Sequence, residues 1–203
     1  MFDSARGALR TLTNKLGNKP VHDQMQTDIV QSLANIGENV KFLDVAIRRS
    51  RNQVPREYLE SLSLDAELLK RLAKRDYNSE SERTRLYDGL KEVESDLELK
   101  VTGPGRQGGA EVVRLVEILV HARKGDQDVG AYEVWYVPKG LLREPSRFKR
   151  FDRLTDPSAP TSMKVAPGNY FIWLSKGSSL TDRKPVDIGV QGEARREIDV
   201  VVP

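Results

Sequence analysis

Between Val165 and Leu174 the chain reads Val-Ala-Pro-Gly-Asn-Tyr-Phe-Ile-Trp-Leu, and few folds can house that stretch. Pro167 presets φ at the first turn position and Gly168 supplies a positive φ at the next. The aromatic and β-branched residues that follow favour a pleated strand. Tyr170, Ile172 and Leu174 fall on one side of it, Phe171 and Trp173 on the other. Both faces are bulky, so the strand predicts cover on both sides and the centre of a β-rich core.

The rest of the chain is organised differently. Phe2, Ala5, Leu9, Leu12 and Leu16 recur at helical spacing, with Arg6, Arg10 and Lys15 off that seam. A basic amphipathic helix over 3–18 is expected, closed by Gly17 and Pro20. Such a helix can rest on an anionic membrane through residues 2–16. Its few apolar residues and lack of Trp favour packing on neighbouring helices instead.

From 23 to 51 the pattern is stronger. Ile29, Leu33, Ile36, Val40, Leu43 and Ile47 step by 4, 3, 4, 3 and 4, a heptad seam. Arg48, Arg49 and Arg51 close it with cations where the helix dipole favours them. Pro55 opens a third helix running to about Asp76. Ser79 and Glu82 form a capping box before a fourth, with Leu86, Leu90, Val93 and Leu97 on its seam. The first hundred residues therefore predict a helical bundle or coiled-coil hairpin.

Val101–Ala110 is dominated by Gly and Pro, and helical periodicity stops there. Short strand candidates follow at 111–123, 131–137, 151–155, 161–165, the central stretch after the Pro167-Gly168 turn, 186–190 and 195–202, with no helices between them. The expectation is an α+β chain in two parts: residues 1–100 a bundle, 101–110 a linker, 111–203 an antiparallel β-sandwich.

The order of strand, Pro167-Gly168-Asn169-Tyr170 turn and terminal Ile198-Asp199-Val200-Val201-Val202 strand resembles transthyretin-like or carboxypeptidase-regulatory-like sandwich domains. The similarity spans roughly 110–203. It departs at Leu154–Thr161, where Asp-Pro-Ser-Ala-Pro replaces the Asp-x-x-Gly turn usual upstream. Such domains are generally structural or adhesive, so the resemblance implies no catalysis.

Chemistry is hard to place on this chain. Gly103–Gly108 spells Gly-x-Gly-x-x-Gly, but a dinucleotide site needs a strand before it and a helix after it, and here the order is reversed. The two histidines, His22 and His121, fall in different halves with no partner at metal-ligand spacing. No serine sits in a Gly-x-Ser-x-Gly elbow. Glu92, Glu94, Asp96 and Glu98 read as the solvated side of a helix. The chain has no cysteine, which argues against a disulfide framework or a thiolate zinc site. No enzyme, cofactor or metal is expected. The N-terminus lacks the apolar core of a signal peptide and no run of about 18 apolar residues exists, so a cytoplasmic location is the default.

Net charge is +3, too small by itself to indicate nucleic acid. Locally, Arg143, Arg147, Lys149, Arg150 and Arg153 are interleaved with Phe148 and Phe151, a composition able to hold phosphates and stack bases. Arg48, Arg49, Arg51 and Arg56 form a second basic group. The leading expectation is a non-catalytic adaptor or assembly protein, with Leu9, Leu33, Ile36, Val40, Phe42, Leu43 and Ile47 meeting a protein partner or a second copy. The alternative is a binder of nucleic acid or an anionic surface through 143–153.

Overall fold

The computed structural model describes residues 1–17, 24–50, 54–102, 115–190 and 193–203. Four helices come first: α1 (Phe2–Gly17), α2 (Gln24–Arg49), α3 (Arg56–Lys74) and α4 (Glu80–Thr102). Helix α1 packs against α2 and α3, and α4 packs against the same pair. The leucine and isoleucine seams thus meet in one core, where Leu12, Ile29, Ile36, Leu43, Leu69 and Leu90 are sealed from solvent. The capping box forms as expected: the Ser79 N–H donates to the Glu82 carboxylate at 2.9 Å, and the Glu82 N–H to Ser79 Oγ at 3.2 Å. Pro55 takes the cap position itself rather than the first turn of α3.

Helix α4 continues to Thr102, two residues into the expected linker, because Lys100 and Val101 are buried and hold its last turn. The remainder of that linker, the Gly103–Gly108 pattern and the start of the first expected strand lie outside the described residues.

Among the described residues nine strands build the second half: β1 (Val116–Lys124), β2 (Gln127–Val129), β3 (Glu133–Pro138), β4 (Lys149–Arg150), β5 (Thr161–Val165), β6 (Gly168–Lys176), β7 (Ser179–Leu180), β8 (Lys184–Ile188) and β9 (Arg195–Val201). In one sheet β1 is central. It pairs antiparallel with β5 and β2 along one edge and parallel with β9 along the other. In the second sheet β3 and β6 are antiparallel neighbours, with β4 outside β3, and β7 and β8 outside β6. The stretch expected as a strand over 151–155 bends instead; Phe151 and Thr155 turn inward and donate their N–H groups to Val134 O and Tyr132 O.

Alternate residues of the two sheets meet between them. Val116, Ile118 and Val120 from β1 face Val134 and Tyr136 from β3 and Tyr170, Ile172 and Leu174 from β6. The other side of β6 is covered too, since Trp173 is buried with Val137 and Leu141 against Leu64 of α3. The central strand is therefore enclosed from both faces, as its sequence demands.

The Pro-Gly turn is built differently from expectation. Gly168 is already in β6 and does not take a positive φ. A side chain there would be crowded, because a Cβ would lie 3.3 Å from the Tyr170 ring and 3.4 Å from the Asp96 carboxylate. The left-handed residue is Gly189, at φ 91°, where a Cβ would lie 2.7 Å from that of Pro167. Gly189→Ala is expected to cost about 2 kcal/mol through strain and overlap. An unchanged urea midpoint would show that Pro167 yields freely.

Candidate functional site

Glu57, Glu60 and Glu67 lie on one side of α3, since steps of 3 and 7 residues return to the same face of a helix. Facing them is the segment after β3, which folds into two single 3₁₀ turns at Lys139–Leu141 and Pro145–Arg147. Arg147 Nη2 reaches Glu67 at 3.2 Å and Lys149 Nζ reaches Glu60 at 3.0 Å. Arg71 of α3 pairs with Glu144 in the opposite sense. Lys149, and then Arg56, hold the Glu60 carboxyl below its ordinary pKa. A cleft of about 460 Å³ runs beneath these bridges, with Tyr136, Tyr170 and Phe148 among its lining.

The basic loop is thus answered within the chain. Arg150 pairs with Glu133 at 2.5 Å, so three of the five cations expected to hold anions already face carboxylates. Arg143 and Arg153 are exposed. The two phenylalanines anchor the loop: Phe151 packs edge-on to Tyr136 at 5.7 Å and Phe148 edge-on to Trp173 at 5.0 Å. On the outer face of the second sheet, Arg183 lies 5.1 Å from the Trp173 ring and Arg150 lies 5.9 Å from that of Trp135. In the second basic group Arg48 pairs with Asp44 and Arg56 with Glu60, each at 2.8 Å; Arg51 lies outside the described residues.

Deeper at the same junction lies a buried ionic cluster that sequence reasoning missed. Lys100 is 1% exposed. Its Nζ lies 3.0 Å from Asp65 Oδ2 on α3 and 3.6 Å from Asp96 Oδ2, one turn earlier on α4. The other oxygen of Asp96 accepts the Asn169 backbone N–H at 2.6 Å and its side-chain amide at 2.7 Å. That carboxylate therefore fastens α4 to the start of β6. Tyr58 and Tyr170 close the cluster, donating to Lys100 O at 3.2 Å and Ala166 O at 2.9 Å. Burial pushes the Asp65 carboxyl up to about 7 despite the nearby ammonium, with Asp96 adding to the rise. The two carboxylates oppose burial at Lys100 and keep it protonated.

This corrects the reading of 92–98 as a solvated face. Asp96 is buried, and Glu94 accepts hydrogen bonds from Ser32 at 2.6 Å and Asn35 at 2.5 Å across the bundle. One sequence signal did exist. The seam Leu86, Leu90, Val93, Leu97 takes its next step of 3 onto Lys100, placing a cation where a core residue belongs.

The seam proposed for a partner is largely used internally. Leu9, Leu33, Ile36, Val40 and Leu43 are buried in the bundle, and Ile47 is half-buried against it. Of the seven, Phe42 alone is exposed. Ala5, Leu9, Leu12 and Leu16 likewise turn the apolar face of α1 into the bundle. His22 lies outside the described residues, and His121 sits 3.6 Å from Asp128. Among the described residues no helix is long and apolar enough to cross a membrane. The chain matches no protein-family model, and no curated protein is similar to it.

Proposed function

We propose that this protein is a non-catalytic cytoplasmic adaptor or assembly subunit, in which the bundle and the sandwich act as one unit that presents surfaces to a protein partner. The observation that carries this reading is on α2, where Phe42 and Val45 are 40% and 47% exposed one turn apart while Leu43 and Ala46 beside them are buried. Apolar surface on α2 thus extends beyond what the bundle covers. Leu180 and Val201, 67% and 70% exposed beside a shallow groove, supply a second apolar spot on the sandwich. The resemblance of residues 110–203 to structural sandwich domains points the same way.

The reading as a nucleic-acid binder is weaker, because a phosphate at Arg147 or Lys149 must displace Glu67 or Glu60. The test is the double variant Phe42→Ser with Val45→Ser. Both side chains lie at the surface, so helical circular dichroism is expected to stay intact. The mass from light scattering, or capture of the partner from host extract, should fall. Retention of both mass and partners by the folded variant sinks the assembly reading.

A further inference from the structure

We propose that Lys100 and Asp65 condense into an intramolecular amide that joins α4 covalently to α3, with Asp96 carrying the proton. The Lys100 amine nitrogen is already held against the Asp65 carboxyl group. Lys100 Nζ lies 3.0 Å from Asp65 Oδ2, yet neither atom makes a well-aligned hydrogen bond. Held contact of this kind replaces the entropy cost of a bimolecular encounter.

The balance is simple. The Lys100 ammonium passes a proton to Asp96 Oδ2, 3.6 Å away, and becomes a free amine. Asp96 hands that proton on to the Asp65 carboxylate, whose raised pKa favours the neutral acid, and is itself a carboxylate again. The Nζ lone pair attacks Cγ of Asp65 and a C–N bond forms. Asp96 relays the second amine proton to the departing hydroxyl, the C–O bond breaks, and one water leaves. An ammonium and a carboxylate become an amide and water, with no oxidant, reductant or activating group consumed.

In bulk water the separated ions win. Here both are buried, and desolvating an ion pair costs more than desolvating the neutral amide that replaces it. The site also has room for the product. A cavity of about 20 Å³ bordered by Asp65, Asp96 and Glu92 is large enough for one water. Asn169 holds the relay in place by donating twice to the far oxygen of Asp96. Tyr58 and Tyr170 keep the reacting atoms dry.

The experiment is the intact mass of the purified full chain after denaturation, before and after prolonged incubation at pH 7. A loss of about 18 Da is expected, with digestion yielding one branched peptide that joins the segments containing Asp65 and Lys100. Asp96→Asn keeps both reactants and should retain the full sequence mass. The sequence Asp88-Gly89 can also lose water, by imide formation, so the branched peptide decides the matter. A full sequence mass in the folded wild-type protein overturns the proposal, as does a loss that maps to Asp88 or persists in Lys100→Met.

Discussion

Lys100→Met lowers the stability of the protein by about 3–5 kcal/mol relative to wild-type chain in which Lys100 and Asp65 are still an ion pair, the usual cost of removing one partner from a buried charged group. Methionine fills most of the lysine's volume, so the loss comes from Asp65 and Asp96, left facing each other without a cation. The pH dependence identifies the cause. Burial and Asp96 already raise Asp65, and Lys100 is the group that pulls it down, so its pKa in the variant lies above about 7. A carboxyl raised on folding gives its full contribution to stability below its unfolded pKa of about 4, and that contribution is lost as the pH rises through the folded value. The variant should therefore be appreciably more stable at pH 5 than at pH 8 in urea unfolding. A deficit that is the same at both values would mean that Asp65 is not the stranded group.

Val40→Asp should abolish cooperative folding of the bundle. Val40 is buried in the middle of the α2 seam, and an unpaired carboxylate there costs several kcal/mol, on the order of the whole stability of a domain. Helical ellipticity is expected to collapse. Fluorescence should change with it, because Trp173 is covered from the bundle side by Leu64 of α3. Native ellipticity with an unchanged urea midpoint would show that the seam does not face the interior.

These two experiments probe features that differ sharply in how far the sequence reveals them. Val40 belongs to a pattern internal to one helix, and periodicity declares it. The Ser79–Glu82 cap and the doubly buried β6 are legible for the same reason, since each is local. The Lys100 cluster is not, because Asp65 and Lys100 come from different helices and the β6 contact that completes it comes from the other half of the chain. Seen along α4 alone, Asp96 is one acid among four. The basic loop misleads in the same way. Its cations attract notice because they are contiguous, whereas two of the glutamates that answer them, Glu60 and Glu67, lie two turns apart on a helix some eighty to ninety residues earlier. Counting Glu57, Glu60 and Glu67 as one face of α3 would have offered the partner.

The parallel pairing of β9 with β1 has a consequence for how the chain is made. On the ribosome β1 emerges long before β9, so one edge of β1, with Ile118 and Val120 on its inner face, waits unpaired through the synthesis of some seventy residues. Until β9 arrives the first sheet cannot close, while the helices, whose contacts are mostly nearer in sequence, are free to assemble. An unpaired hydrophobic edge is a template for the wrong neighbour. Synthesis halted just before Arg195 should therefore leave a folded bundle tethered to an aggregation-prone half-sandwich, and the yield of soluble protein should turn on the final seven-residue strand.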